Sequence, residues 1–227
     1  ALKETGIIVP IQAQVTLDTT GRMLLGTDIA AVLAILEGMG IDVIGLNCST
    51  GPDFMREPIR YLGAHSTLPV SCIPNAGLPM NVDGQAVYPM LPEPFARELL
   101  EFVTEFKINV VGGCCGTTPD HIRLLADLLK GLPQNPRPVH RLPELASAVE
   151  AVPMQQEPAP FLIGERLNTQ GSARFKKLML ADDYESSLDL ARQQLEDGAH
   201  GLDVCVALTE RTDEADMMRR LVKLLSP

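Results

Sequence analysis

The chain has 227 residues, 45% apolar and 21% charged, which is enough apolar material for one large core or two smaller ones. Nineteen Lys and Arg stand against 29 Asp and Glu, and a net charge of −10 with no Trp argues against a nucleic-acid binder or a peripheral binder of anionic membrane. No apolar run reaches the ~18–20 residues of a membrane span, no secretory leader pattern is present, and five cysteines are an odd number for a disulfide framework, so a reduced, cytoplasmic compartment is expected.

In chain order, 6–15 reads as a strand carried by Ile7, Ile8, Val9, Ile11 and Val15. A helix follows over 27–38, with Asp28 in its first turn and Gly38 or Gly40 to stop it. IDVIGLN (41–47) is a buried strand and 54–62 a short helix. A strand over 70–73 ends at Pro74, a long helix spans 92–107, and 108–111 is the next strand. The helix after it opens with Thr118 as cap and Pro119 in the first turn, carries Ile122, Leu125, Leu128 and Leu129 on one face, and closes at Lys130–Gly131. These are four βα units on a parallel sheet, too few to close an eight-unit barrel, and neither GxGxxG nor a Walker-type loop is present.

Between Gly131 and Pro160 the texture changes. Seven of the 18 prolines fall in these 30 residues, at 133, 136, 138, 143, 153, 158 and 160, which predicts a semi-rigid linker. A second series then begins: FLIGERLN as a strand, 182–196 as a helix with Asp182 and Glu185 placed like a capping box, GLDVCVAL as a strand, and 213–225 as a helix. Two βα units cannot bury their own apolar faces, so the expectation is of two incomplete α/β modules cut from a longer polypeptide.

Cys48 ends the strand IDVIGLN, and Cys114 and Cys115 end another in VVGGCCGTTP, 66 residues on. In parallel α/β folds the C-terminal strand ends share one rim, where active sites lie, so three thiols are expected to meet there. Neighbouring side chains of a regular strand point to opposite faces, and Gly112, Gly113 and Gly116 supply the freedom for both adjacent sulfurs to reach one ion. Three thiolates with one open position suit a catalytic zinc. The alternatives are buried cysteines acting as small hydrophobes, or a vicinal disulfide. Cys72 and Cys205 lie mid-strand and read as packing residues, although Cys72 as a fourth thiolate would close the site into a structural one. His65, His121, His140 and His200 lack a ligand pattern and read as surface or cap residues.

NCSTGP, PNAG (74–77) and GGCCGTTPDHI (112–122) resemble the C-terminal half of the zinc-dependent homocysteine S-methyltransferase barrel. IGERLNTQGS (163–172) and EDGAHGLDVCVALTER (196–211) resemble the opening strands of a pterin-binding methyltransferase barrel. One module joined to the other is the arrangement of the cobalamin-dependent methionine synthase family. The resemblance implies two (β/α)8 TIM-barrel modules, both incomplete: 1–130 as the second half of the homocysteine barrel, 131–160 as linker, and 161–227 as the start of the pterin barrel.

It further implies that Cys48, Cys114 and Cys115 are zinc ligands, and that Asn75 borders the homocysteine site, unless it only shapes the turn before Gly77. Glu165 and Asn168 would stand at the mouth of the first pterin-barrel strand, unless Asn168 merely turns the chain toward Gly171, and Asp203 would line the same mouth. The implied reaction is attack of a zinc-activated homocysteine thiolate on a methyl group carried by cobalamin, which another module of the polypeptide binds; 5-methyltetrahydrofolate then replaces the methyl. A cobalamin-independent homocysteine methyltransferase would resemble 1–130 alone, and a non-catalytic zinc-stabilised scaffold would use four sulfurs.

Overall fold

A computed structural model of the chain describes residues 6, 8–133, 136 and 139–226; Ile7 and Pro138 lie outside them. The chain divides into two compact units, Ala1–Leu142 with Val149–Ala151 and Pro143–Ala148 with Val152–Pro227.

In the first unit the opening strand is shorter than its apolar residues suggest. Ile8 is 98% exposed, and β1 runs only over Gln12–Val15. The reason is its neighbour: β2 (Val43–Asn47) starts in register with Gln12, so the residues before it have no strand to pair with. Between them α1 (Ile29–Gly38) is capped by Asp28, whose carboxylate accepts from the Ala31 amide at 2.8 Å. The helix α2 spans Pro52–His65, longer than expected at both ends, with Pro52 in its first turn and a buried Pro58 inside it. β3 (Val70–Ile73) follows.

Next comes a feature absent from the sequence expectation. β4 (Met80–Val82) and β5 (Gln85–Val87) form an antiparallel hairpin closed by Asp83 and Gly84, both at positive φ (52° and 81°). That pair of angles is the tight two-residue turn that Asp-Gly favours. α3 (Pro92–Glu105), β6 (Val110–Val111) and α4 (Pro119–Leu129) complete the unit.

The four strands lie in the order β1-β2-β3-β6, all parallel, each connection crossing through a helix. Ile44, Leu46, Val70 and Cys72 of the sheet are fully buried. Against them α2 turns Met55, Ile59 and Leu62, and α3 turns Phe95, Leu99 and Phe102, each at the i, i+4, i+7 spacing of one helical face. Each such side chain contributes about 1.5–3 kcal/mol on burial. The two helices approach closely at Gly63, where a Cβ would stand 2.6 Å from the Phe106 carbonyl.

The second unit contains β7 (Glu144–Ala146), β9 (Ile163–Asn168), α5 (Ala173–Leu180), α6 (Glu185–Glu196), β10 (Gly201–Cys205) and α7 (Glu214–Leu225); β8 (Ala151–Pro153) begins in the first. β9 and β10 pair in parallel. Leu167, Phe175, Met179, Leu190, Met217 and Leu221 form its core. α5 was not expected; Ser172 caps it by accepting from the Phe175 amide at 3.2 Å.

The cap of α6 is also a correction. Asp183, not Asp182, accepts from the Ser186 amide at 3.1 Å, because Asp182 sits at φ +53° and is held by Arg211 Nη1 at 2.8 Å. The architecture is mixed α/β, and among the described residues no helix is long and apolar enough to cross a membrane.

Candidate functional site

The cysteines sit just beyond the C-terminal ends of β2 and β6, on one rim. Cys48 and Ser49 both adopt left-handed backbone angles (φ 61° and 67°), which costs non-glycine residues about 1 kcal/mol or more each. The turn is held by the Cys48 amide donating to Ile73 O at 3.1 Å and the Thr50 amide donating to Cys48 O at 2.8 Å. It swings the Cys48 side chain out of strand geometry and toward the other pair.

Three hydrogen bonds shape that pair. The Cys114 amide donates to Pro74 O at 2.8 Å, the Cys115 amide to Asn75 Oδ1 at 3.1 Å, and the Ala76 amide to Cys115 O at 2.9 Å. Of the three glycines expected to supply freedom, Gly116 does so at φ +77°, while Gly113 is needed because a Cβ would overlap Thr117. A Cβ on Gly112 would meet nothing closer than 3.8 Å.

The three Sγ atoms lie within 4.8 Å of one another, with Cys48–Cys115 and Cys114–Cys115 each at 3.8 Å. Two sulfurs bound to one zinc at ~2.3 Å and a tetrahedral angle are about 3.8 Å apart. The donor set and spacing therefore fit a zinc ion with one position left open. Burial first, then hydrogen bonding with Cys48 and Cys115, pushes the Cys114 thiol up to about 11. Cys115 is shifted the other way, below the ordinary thiol range, first by the Tyr88 hydroxyl and then by Cys48 and Cys114.

Cys72 lies apart from the cluster. It is fully buried, with its sulfur 3.8 Å from Met55 Sδ, and burial pushes its thiol far up. The four-sulfur scaffold thus gains no fourth ligand from Cys72. Cys205 is the last residue of β10 and half-buried, not mid-strand. His121 is both a cap and a buried residue: its Nδ1 accepts from the Thr118 amide at 3.2 Å, which leaves Nε2–H to donate to Met90 O at 3.0 Å.

Asn75 is 2% exposed and is committed to the Cys115 amide, so it shapes the Cys114–Cys115 turn itself. Tyr88 escaped the sequence reading. Its signal was the Asp83-Gly84 turn, which predicts a hairpin that returns the chain to the rim immediately before Tyr88.

In the second unit Asn168 ends β9, its Oδ1 accepting from the Gln170 amide at 2.9 Å and its Nδ2 donating to Asp203 Oδ2 at 2.8 Å. It is thus a turn former and a partner of Asp203 at once. The β9–β10 register shifts between Leu202 and Val204, at Asp203, an irregularity that re-aims a side chain. Glu165 is exposed on the same strand as Asn168.

A family model described as pterin binding enzyme matches residues 164–227. The chain is 46% identical over 217 residues to a methionine synthase of Mycobacterium tuberculosis (strain ATCC 25618 / H37Rv), and 45% identical over 222 residues to a methionine synthase of Mycobacterium leprae (strain TN). Each match covers 96% of this chain, which spans 18% of the length of either relative. The model described as homocysteine S-methyltransferase matches residues 1–129, more than half the chain, and the chain belongs to that family.

Proposed function

We propose that the chain is part of a methyltransferase that moves a methyl group from 5-methyltetrahydrofolate, by way of cobalamin, to homocysteine, giving methionine. The observation that carries this reading is the convergence of Cys48, Cys114 and Cys115 on one rim with sulfur spacings that suit a tetrahedral metal. In this reading residues 1–130 are the second half of a (β/α)8 barrel that takes homocysteine, 131–160 join the modules, and 161–227 begin a second (β/α)8 barrel that takes the pterin. Four parallel strands in chain order, each crossing through a helix, support the first barrel, and the parallel β9–β10 pair supports the second. Cobalamin is carried elsewhere in the polypeptide, and the reduced cytoplasm suits three free thiolates.

Cys48, Cys114 and Cys115 would hold zinc, which when bound supplies the Lewis acidity that favours the deprotonated form of a substrate thiol. Three thiolates outweigh a divalent ion by one negative charge, so the incoming sulfur stays electron-rich. Asn75 fixes the Cys115 amide, and with it the direction in which both adjacent sulfurs point. The homocysteine sulfur then forms a new bond to the methyl carbon while the methyl's bond to its donor breaks, the electron pair leaving with the donor. On the other unit Asn168 and Asp203, hydrogen-bonded to one another, and Glu165 offer polar groups to the pterin.

The test is replacement of Cys48, Cys114 or Cys115 by Ala, one at a time, in the complete polypeptide. Each should abolish zinc retention and methylation of homocysteine; stoichiometric zinc and full activity in all three variants would reject the reading.

A further inference from the structure

Along its middle, β9 carries one residue more than its partner strand. Gly164 pairs with Leu202 and Leu167 with Val204, so Glu165 and Arg166 together stand opposite Asp203 alone. This is a β-bulge, which leaves its extra residue out of the ladder. The Arg166 amide is taken instead by a helix side chain, donating to Gln194 Oε1 at 2.6 Å. Gln194 lies on α6 and is buried, and its Nε2 donates to Leu190 O at 3.2 Å. A backbone amide only donates and a backbone carbonyl only accepts, so these two partners fix which way the carboxamide points. Gly164 makes room for it: a Cβ there would stand 2.7 Å from Gln194 Oε1 and 3.0 Å from its Cδ.

The bulge decides where the polar groups of the strand point. Residues three apart on a regular strand face opposite sides of the sheet. Here Gly164 and Leu167 both face the helices, the one against Gln194 and the other fully buried in the core. Glu165 and Asn168 therefore share the other face, although they too are three apart. Their side chains agree. Glu165 Oε2 lies 4.0 Å from where a Cβ on Gly171 would stand, in the turn that Asn168 forms, and Asn168 Nδ2 donates to Asp203 Oδ2. Arg166 turns elsewhere, its Nη1 3.8 Å from Asp197 Oδ2 just past the end of α6. In a regular ladder Glu165, two residues before Leu167, would be turned with it into the helices.

We propose that Gln194 is a positioning residue for the pterin-binding mouth: its buried carboxamide holds the bulge that turns Glu165 onto the face of Asn168 and Asp203, where the three can meet one ligand. This rests on the pterin reading above.

The test measures equilibrium binding of 5-methyltetrahydrofolate by the complete polypeptide, in wild type, Glu165→Gln, Gln194→Leu and the double variant. Either single change should weaken binding about tenfold, as expected for loss of one hydrogen bond to a charged group. The double variant should bind no more than about twofold more weakly than Glu165→Gln alone, since Gln194 acts through Glu165. Gln194→Glu, which as the buried neutral acid still accepts from the Arg166 amide and donates to Leu190 O, should restore binding to within about threefold of wild type. Gly164→Ala displaces the same carboxamide from the strand side and should weaken binding as Gln194→Leu does, so it carries the test if Gln194→Leu fails to fold.

Unchanged binding in Gln194→Leu and Gly164→Ala while Glu165→Gln is weakened, or fully additive losses in the double variant, would overturn the proposal. Wild-type protein that binds no 5-methyltetrahydrofolate would overturn the pterin reading itself. Binding that Glu165→Gln leaves unaltered would overturn the role given to Glu165, and the proposal with it.

Discussion

Removing the Cys72 sulfur separates packing from metal binding more cleanly than any change at the rim. Cys72 is on β3, fully buried among Ile44, Leu46, Met55 and Val70, and its sulfur touches Met55 Sδ at 3.8 Å. Replacing it with Ala loses about 1 kcal/mol of transfer free energy. The void of roughly 25 Å³ that remains adds about 0.6 kcal/mol at ~24 cal/mol per Å³. The total, about 1.5 kcal/mol, should lower the thermal midpoint by about 3–6 °C in a protein of this size. Thermal unfolding followed by circular dichroism, with zinc measured by mass spectrometry on the same samples, tests both halves. Lower stability with full zinc content is expected. Loss of zinc at unchanged stability would refute the reasoning and make Cys72 a ligand.

Gly45→Ala should cost about 1–3 kcal/mol in denaturant unfolding, because its Cβ would overlap Ser71 Oγ and the Ser71 carbonyl on the neighbouring strand, where backbone cannot yield. The second unit should lose stability in acid. Arg211 holds the Asp213 carboxyl below the usual carboxylate range, so its contribution is present above the unfolded value of ~3.9 and is lost as pH falls through the native one; Arg211→Gln should flatten that acid limb of the stability profile. Asn168→Ala should slow methyl transfer from 5-methyltetrahydrofolate to cobalamin while sparing transfer from methylcobalamin to homocysteine, and Cys114→Ala should do the reverse. Equal loss of both half-reactions in both folded variants would point to one composite site.

The sequence made the helices of the first unit legible where apolar spacing and punctuation agreed. α4 starts at Pro119 behind the Thr118 cap, as its residues predict, although the partner in its capping box is His121 and not an acid. Strand ends were less legible: 8–11 (IVPI) is richer in β-branched residues than 12–15 (QAQV), but only the latter pairs with β2, a fact of register and not of composition. The Asp182–Asp183 choice at α6 was decided by Arg211, 29 residues beyond Asp182, which no local pattern reveals.

At the site, strand-end position and glycines brought Cys48, Cys114 and Cys115 under suspicion together, whereas the left-handed turn at Cys48–Ser49 left no mark because neither residue is glycine. Tyr88 was hidden for a different reason. Its place against Gly116 follows from a hairpin whose Asp83-Gly84 signal was in plain view, while nothing in an isolated tyrosine says which turn its ring will cover.

The central claim is a three-sulfur metal centre that keeps one position for the substrate thiol. X-ray absorption at the zinc edge, on the complete polypeptide before and after addition of L-homocysteine, measures this directly. Three sulfurs at ~2.3 Å with one lighter neighbour, becoming four sulfurs when homocysteine is added, is the predicted result. Four sulfurs before any homocysteine is present, or a shell that homocysteine leaves unchanged, would contradict it.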